Sequence, residues 1–553
     1  MLNSDKDKKI THINHYIQKI SKRAERLDPR QQYETFVSLG DIEGILLNTD
    51  NRVIYGRRGT GKTHVLSYIS ASVKESGDIA ISIDMRTIGS SGSIFNDNNL
   101  TLCYRATRLL RDFITAVHDG ILDAAKSPDT DLKSERISIP LKNLDMTVKS
   151  IFVTESVERR TTDKSASMKH TKGGFNISAS LIGSKAELNG EGKISKSEDE
   201  EFIEKGHTRL SVSMGESHKC LKDIAAQTKK RIWILVDEWS SIPEELQPYL
   251  ADFIRRAIFP IRNYSVHIAA IEQRSKFREV FGAETLGIEL GSDAAADINL
   301  DDHLVFENAP ERSVAFFKEL LYKHIASEEG FAEIYKSADV FAKAAFTQDQ
   351  TLQELVRACE GVPRDAISII QIAATQARKE SISIKHIRNA AKDWYERDKA
   401  SFVNTNPNAS KFLQWIILEV IGKRKARAFL VRSDEDDELM ARLFDERILH
   451  IAKRSYSTHD EPGIRYRVWK IDYGCYVDLI NTSRAPTLYL TDDDLTVPDD
   501  DYRAIRGCIL SLKAYQESQK LSDDPALSSM GGVHRLRQNP RNNVEQGWLD
   551  DSL

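Results

Sequence analysis

The chain has 553 residues, of which 40% are hydrophobic and 29% are charged, the usual balance for proteins that fold around hydrophobic cores. At about 100–200 residues per domain, this length predicts three or four domains. The net charge of −5 excludes an overall positive field, so any contact with nucleic acid needs a local basic patch. No run of about 18 apolar residues is present, which argues against a membrane span.

The N-terminus and the cysteines give no sign of secretion. The first nine residues are polar and lack the apolar core of a signal peptide. The five cysteines are scattered without a C-x-x-C pair, which suits a reducing compartment and disfavours a zinc site. We therefore expect a cytoplasmic protein with several domains and no membrane partner.

A phosphate-binding loop follows a helical N-terminal segment over residues 10–48. The sequence GRRGTGKT matches the pattern G-x-x-x-x-G-K-[ST], with an apolar strand predicted at residues 53–55 and a helix at 64–73. In this context the glycines let backbone N–H groups converge on phosphate oxygens. A glycine-rich turn with a solvated lysine would leave the Gly-Lys-Thr order unexplained.

The loop therefore predicts a site for ATP and Mg²⁺. Lys62 can reach the β- and γ-phosphates, and the hydroxyl of Thr63 can bind the metal. The predicted nucleotide-binding residues are Gly56, Arg57, Arg58, Gly59, Thr60, Gly61, Lys62, Thr63 and His64.

Alternating strands and helices continue beyond the loop. Strands are predicted at residues 79–85, 232–236 and 266–271, and helices at 100–125, 217–228 and 244–258. This alternation predicts an α/β P-loop fold with a parallel sheet that helices cover on both faces. A polar, β-rich insertion is expected to interrupt it at about residues 127–210.

Acidic residues end the strand at 232–236. Asp237 would hold the Mg²⁺ shell, and Glu238 would orient and deprotonate the attacking water, as in a Walker B motif. The alternative is a polar strand end that caps the next helix.

Polar residues after the strand at 266–271 suit a sensor of the γ-phosphate. Gln273 or Arg274 could take this role, and a solvated loop is the alternative. A finger arginine for a neighbouring subunit could come from Arg255, Arg256, Arg262 or Arg278, and the sequence does not choose among them.

A helical segment follows at residues 306–400. Within it, Gly361 is expected to end one helix and Pro363 to begin the next, so that Arg364 projects from a first helical turn. In that position Arg364 can face the γ-phosphate when the helical segment closes over the nucleotide.

Together, the motifs GRRGTGKT, VDEW, EQR and GVPRDAI resemble those of AAA+ ATPases, and more narrowly the bacterial relatives of the origin-recognition-complex initiators. The resemblance spans about residues 36–398 and excludes the insertion. It implies phosphate and metal roles for Lys62, Thr63 and Asp237, catalysis by Glu238, and a second sensor at Arg364. The first sensor departs from the family, because Arg274 is closer to the arginine of signal-transducing STAND ATPases.

The C-terminal part fits the winged helix that follows the lid in this family. The predicted organisation is a nucleotide-binding core at 1–305, a helical lid at 306–400, a winged-helix-like domain at 401–515 and a disordered tail at 516–553. The basic run at 423–427 can meet DNA phosphates, whereas the acidic run at 434–438 would repel them. DNA and protein both remain open as partners of this domain.

Two functions follow from these features. One is an oligomeric Mg²⁺-dependent ATPase that uses ATP as a switch to engage DNA or a partner protein, with anti-phage defence and mobile elements as the settings that the resemblance implies. The other is a STAND-like scaffold with little turnover that recruits a separate effector.

Overall fold

The computed structural model describes residues 13–22, 27–38, 42–88, 100–127, 132, 134–149, 151–160, 174–175, 196–197, 200–210, 212–282, 284–306, 309–328, 330–423, 426–435, 437–457, 463–480 and 509–516. The chain forms two compact units. The first contains Met1–Ser401, Leu443–Ala452 and Asp472–Ala485, and the second contains Phe402–Arg442, Lys453–Ile471 and Pro486–Leu553. Two segments from the predicted C-terminal domain therefore belong to the first unit.

The strands, numbered in chain order, are β1 Arg52–Tyr55, β2 Ile79–Asp84, β3 Ile151–Arg160, β4 Gly174–Phe175, β5 Lys196–Ser197, β6 Glu200–Leu210, β7 Ile232–Asp237, β8 Tyr264–Ala270, β9 Arg278–Phe281, β10 Glu284–Gly287, β11 Ala295–Asn299, β12 Ala428–Arg432, β13 Leu449–Ser457 and β14 Arg465–Ile471.

A five-stranded parallel sheet organises the first unit, with the strand order β11-β1-β8-β7-β2. The phosphate-loop strand β1 and the acidic strand β7 therefore flank β8. Every residue of β8 is buried, as are the first five of β7, because helices cover both faces of the sheet. The predicted α/β fold with a parallel sheet is confirmed.

The helices of the sheet region are residues 13–19, Pro29–Thr35, Ile42–Leu46, Lys62–Glu75, Leu102–Lys126, Ser134–Lys149, Met214–Ala225, Gln247–Phe253 and Leu300–His303. The helix Gln247–Phe253 continues into a π-helical turn, Ile254–Ile258. Residues from the helices on one face of the sheet, including Phe113 and Phe253, pack with Trp239 and the sheet strands in one hydrophobic core.

A helical bundle follows the sheet in the first unit. Its helices are Pro310–Ala326, Phe331–Ile334, Ala338–Ala345, Asp349–Ala358, Pro363–Ala377 and Ile384–Trp394, and the π-helical turn Tyr395–Lys399 leads into Ala400–Thr405. The helix Tyr473–Ile480 returns from the C-terminal part of the sequence. This helical texture agrees with the prediction for residues 306–400.

The insertion contains one helix that the sequence pattern did not predict. Ser134–Lys149 is helical despite an internal Pro140, because Ile137, Leu141 and Leu144 are buried at helical spacing in the main core. After it, β3 and β6 pair antiparallel over ten residues in a sheet of order β4-β3-β6-β5. Much of the predicted insertion, including all of residues 176–194, lies outside the described residues.

The second unit is smaller. Its helix Pro407–Ile417 continues into the π-helical segment Leu418–Lys423, and β12 pairs antiparallel with β14. Tyr515 packs on Phe412 and Trp415, with ring centroids 4.7 and 5.1 Å apart. The helix Glu438–Asp445 and strand β13 each begin in one unit and end in the other. A winged helix remains a prediction, and the tail from residue 517 lies outside the described part of the chain.

Gly120 tests how closely the helix Leu102–Lys126 lies on strand β2. A Cβ atom at Gly120 would lie 2.3 Å from the side chain of Ile81, so Gly120→Ala should cost about 1–3 kcal/mol by overpacking. The gain in helix propensity, roughly 1 kcal/mol, is too small to offset this.

Gly215 is the matched control, because no atom lies within 4 Å of the position that an added Cβ atom would take there. Gly215→Ala should leave the thermal unfolding midpoint unchanged or slightly higher, whereas Gly120→Ala should lower it. Equal midpoints for the two variants would contradict the packing described above.

Candidate nucleotide-binding site

The phosphate loop links β1 to the helix Lys62–Glu75. Its backbone needs glycine at two positions, since Gly59 and Gly61 have φ values of 89° and 97°. The hydroxyl of Thr60 donates to the carbonyl of Arg57 at 2.9 Å and closes the loop on itself. The turn therefore brings backbone N–H groups to the start of a 14-residue helix, as phosphate binding requires.

Lys62 is folded back along the loop. Its Nζ atom donates to the carbonyls of Gly56 at 2.8 Å and Arg57 at 3.0 Å. Burial lowers the pKa of Lys62, and the nearby carboxylates of Asp237 and Glu238 counteract part of that shift. A bound phosphate would supply the negative charge that this buried amine lacks.

Thr63 and Asp237 meet at the edge of the sheet. The Thr63 hydroxyl donates to Oδ2 of Asp237 at 2.7 Å. Burial raises the pKa of Asp237, although the hydrogen bonds from Thr63 and from the Glu238 N–H favour its carboxylate. A hydroxyl and a carboxylate oxygen this close form a hard-oxygen pair that fits Mg²⁺.

Glu238 follows Asp237 in a strained backbone conformation, with a φ of 55°. Its side chain is only partly buried, and its Oε1 lies 3.7 Å from Nη1 of Arg86. Arg86 also pairs with Asp84 at 2.6 Å. The sequence reasoning missed Arg86, although a charged group just after strand β2 follows the same rule that identified Asp237: functional groups collect at the carboxyl ends of parallel strands.

Arg364 lies at the start of the helix Pro363–Ala377, which contacts the phosphate loop. As predicted, Gly361 precedes a helix that starts at Pro363, and Arg364 is its second residue. The Arg364 N–H donates to the carbonyl of Gly59 at 3.2 Å. A Cβ atom at Gly59 would lie 2.9 Å from the Cβ of Arg364, so the helix start and the phosphate loop are in direct contact.

Three predicted motifs thus meet at the carboxyl edge of a sheet in which one strand separates the phosphate-loop strand from the Walker B strand. This arrangement is the one expected from the resemblance to AAA+ ATPases. The three motifs come from distant parts of the sequence, and the parallel sheet brings them together.

Arg274, the predicted first sensor of the AAA+ fold, pairs elsewhere in this conformation. Its Nε donates to Oδ2 of Asp445 at 2.6 Å, and its Nη2 lies 3.3 Å from Oε1 of Glu446. Burial favours a lower pKa for Arg274, but these carboxylates raise the pKa overall. A sensor role for Arg274 therefore requires it to leave both partners and stays a prediction.

Arg57 directs its side chain away from the phosphate loop. Its backbone N–H and its Nε both donate to Asp301, at 2.8 and 2.6 Å, and its guanidinium lies over the ring of Phe444 at 4.3 Å. Its Nη1 lies 3.1 Å from Nδ1 of His450. Arg58, by contrast, is exposed. No sequence signal pointed to His450, because it is 393 residues from Arg57.

His64 packs its side chain against the N-terminal helices. Its Nε2 lies 2.6 Å from the carbonyl of Gln32, and its ring meets Phe36 edge-on, with centroids 5.6 Å apart. Phe36 in turn stacks on Tyr68 at 4.0 Å. Burial lowers the pKa of His64, so its ring is held neutral. Its predicted contact with nucleotide would involve the backbone of the helix start.

The candidate finger arginines have partners within the chain or line a cavity. Arg255 and Arg256 pair with Asp252 at 2.8 and 2.9 Å, and Arg278 pairs with Glu289 at 3.1 Å. Arg262 lines a cavity of about 620 Å³ at the amino edge of the sheet, opposite the phosphate loop.

Comparisons with known proteins return only distant structural neighbours. No protein-family model matches the chain, and no curated protein matches it. One neighbour is the Aeropyrum pernix Orc1 protein in complex with DNA, at 12% identity, with 81% of this chain and 96% of that chain covered and a TM-score of 0.29. Another is Cdc6p from Pyrobaculum aerophilum, at 11% identity, with 81% and 94% covered and a TM-score of 0.29. The fold assignment rests on the strand order and the motif positions.

Two negative observations apply to the described ranges alone. Among them, no helix is long and apolar enough to cross a bilayer, and no cluster of three or more His, Cys, Asp or Glu side chains could hold a metal ion.

The contact between the phosphate loop and the lid helix can be tested at Gly59. Gly59→Ala should reduce stability through the unfavourable φ, roughly 1–2 kcal/mol, and through the clash with Arg364, roughly 1–3 kcal/mol. Gly61→Ala has the same φ problem but no atom within 4 Å of the added group.

The difference between the two variants therefore isolates the contact with Arg364. Gly59→Ala should have the lower unfolding midpoint, measured by circular dichroism during heating. If Gly61→Ala is equally or more destabilised, the lid helix does not press on the loop in solution.

Proposed function

We propose that the protein is a Mg²⁺-dependent ATPase that oligomerises and uses ATP binding and hydrolysis as a switch to engage DNA or a partner protein. The observation that carries this proposal is the 2.7 Å hydrogen bond between Thr63 and Asp237, with Glu238 next in sequence and Arg364 at the phosphate loop. These residue types meet in one place only if the parallel sheet folds as described.

Each residue of the candidate site has its own part in the proposed binding of ATP. The loop N–H groups and Lys62 hold the phosphates, and Lys62 exchanges its present backbone partners for phosphate oxygens. Thr63 and Asp237 would hold Mg²⁺, directly and through water. When bound, the metal neutralises charge on the β- and γ-phosphates.

Hydrolysis needs a group that positions water, and Glu238 supplies it. A carboxylate at this position can accept a proton from the attacking water. Arg86 lies 3.7 Å from Glu238 in the present conformation and competes for the same oxygen, so this pair separates before Glu238 acts. Arg364 enters from the lid helix and stabilises the charge that develops on the γ-phosphate.

The second candidate function is a nucleotide-dependent scaffold of the STAND type, with little turnover and a separate effector. The pairing of Arg274 with Asp445 and Glu446 favours it. While Arg274 is paired with these carboxylates, it does not contact the γ-phosphate, which a first sensor must do during rapid hydrolysis. Anti-phage defence or a mobile element is the setting we propose for either function, on the resemblance of the motifs alone.

Glu238→Gln separates the two functions. We expect the variant to bind ATP with Mg²⁺ as the wild type does and to hydrolyse it about 100–10,000-fold more slowly, since general base catalysis has that range. Stoichiometric binding is measured by calorimetry and turnover by phosphate release, with and without DNA.

Glu244→Gln serves as control, because Glu244 is exposed and lies six residues further along the chain. It should retain the wild-type rate. Negligible turnover by the wild type, with tight ATP binding, would favour the scaffold. Equal rates for the wild type and Glu238→Gln would remove Glu238 from the mechanism.

DNA engagement is proposed for the second unit, through a winged-helix-like arrangement of the helix Pro407–Ile417 and the strands β12 and β14. Lys423 is exposed and pairs with Glu419 at 2.6 Å, so we propose that its ammonium group can also reach DNA phosphates. Residues 424–425 of the basic run lie outside the described residues.

Replacing Lys423, Arg424, Lys425 and Arg427 by Gln should make the plot of log affinity against log salt less steep by about 0.9 for each phosphate that is no longer neutralised. Fluorescence anisotropy with duplex DNA measures this slope. Replacing the acidic residues at 434–438 by their amides should instead strengthen binding. A slope that neither set changes would favour a protein partner.

A further inference from the structure

A buried chain of polar contacts joins the two sides of the candidate nucleotide site without passing through the nucleotide position. Arg57 Nη1 lies 3.1 Å from His450 Nδ1, and His450 Nε2 lies 3.0 Å from Asp472 Oδ2. Lys399 Nζ then lies 2.5 Å from that same oxygen and 2.9 Å from Oδ2 of Asp365. All five side chains belong to the first unit and are at most a few per cent exposed.

The two ends of this chain of contacts lie, in the sequence, within or beside the predicted phosphate-binding motifs. Arg57 is the second residue of the phosphate loop, and Asp365 directly follows the lid arginine Arg364. His450 and Asp472 come from segments that return to the first unit after the chain has entered the second. His450 and Asp472, which no sequence motif includes, therefore support the phosphate loop through the side chain of Arg57.

The hydrogen-bonding pattern selects one tautomer of His450. The guanidinium of Arg57 can only donate, so Nδ1 of His450 must accept. The ring proton is then on Nε2, where it is donated to the carboxylate of Asp472. A carboxylate behind the ring stabilises this arrangement and orients the acceptor toward the phosphate loop.

The position of Arg57 matters for Lys62. The carbonyl of Arg57 accepts hydrogen bonds from Lys62 Nζ at 3.0 Å and from the Thr60 hydroxyl at 2.9 Å. Asp301 accepts hydrogen bonds from the Arg57 backbone N–H and Nε. Arg57 Nη1 has three acceptors, which are His450 Nδ1 at 3.1 Å and the carbonyls of Leu449 at 3.2 Å and Phe444 at 3.5 Å. Loss of the His450 acceptor changes how Nη1 is held, and a shift of the Arg57 peptide would alter the loop geometry that Lys62 and the backbone N–H groups present to phosphate.

We propose that His450 is a positioning residue for ATP binding, acting through Arg57. This inference rests on the proposed nucleotide-binding function. His450 does not contact the phosphate itself. Its role is to accept a hydrogen bond from Arg57 in the Nε2–H tautomer that Asp472 selects, so that the phosphate loop stays in a shape that binds triphosphate.

Protonation of His450 would break this arrangement. An Nδ1–H would face the Arg57 Nη1–H at 3.1 Å, and two cations would be adjacent. A protonated ring would keep the contact with Asp472 and lose the one with Arg57, so only the neutral ring can hold Arg57.

A set of substitutions at His450 in the full-length protein distinguishes the roles of the two ring nitrogens. His450→Asn keeps an acceptor near the Nδ1 position, His450→Gln keeps a donor near the Nε2 position, and His450→Leu keeps neither. ATP dissociation constants are measured by calorimetry with Mg²⁺, and kcat by phosphate release at saturating ATP. Thermal unfolding midpoints show that each variant is folded.

The Asn variant should bind ATP within about 3-fold of the wild type, whereas Gln and Leu should bind about 10- to 100-fold more weakly, the range for removal of a hydrogen bond to a charged group. The rate at saturation should stay within about 3-fold for all folded variants. His15→Asn, at an exposed histidine, should behave as wild type throughout.

The outcomes distinguish this inference from the proposed function. If the wild type binds no ATP, both are overturned. If the wild type binds ATP and the Gln and Leu variants bind equally well, His450 has no positioning role and the proposed function stands. If Asn binds as weakly as Leu, the contact between His450 and Arg57 does not control binding and the inference is wrong.

Discussion

The parallel pairing of β7 with β8 and of β8 with β1 is the constraint on which the rest of the site depends. Parallel strands bring their carboxyl ends to one edge, so the phosphate loop after β1 and the acidic pair after β7 arrive together. The hydrogen bond between Thr63 and Asp237 is the direct result. Because β8 is buried along its whole length, a shift of register there would expose apolar surface and separate the two motifs.

Buried ion pairs are the second feature that holds the site together. Burial by itself would raise the pKa of Asp365, but Arg447 and Lys399 outweigh it and hold that pKa at about 2. A buried ion pair contributes little net stability, yet removal of one partner leaves a costly unpaired charge, about 3–5 kcal/mol. Asp365, Lys399 and Arg447 therefore tie the helix Pro363–Ala377 to the returning C-terminal segments.

Sequence patterns were most informative where chemistry and periodicity agreed. The phosphate loop, the strand before Asp237 and the helix after Pro363 follow from local rules on glycine, apolar runs and proline, and all three have their expected forms. The helix Ser134–Lys149 was missed because polar residues and an internal Pro140 masked its apolar stripe. The predicted boundary near residue 401 did not anticipate that Leu443–Ala452 and Asp472–Ala485 belong to the first unit. The order of residues along the chain does not indicate that a later segment packs with an earlier domain.

The sequence by itself determined which groups we propose to bind phosphate and metal, because Lys62, Thr63, Asp237 and Glu238 lie within short motifs whose backbone geometry is local. Only the tertiary structure decided what surrounds them. The pairing of Arg274 with Asp445, and of Arg57 with Asp301 and His450, joins residues up to 393 positions apart. Such contacts depend on which buried charges find partners once the core has formed, and no local pattern in the chain encodes that choice.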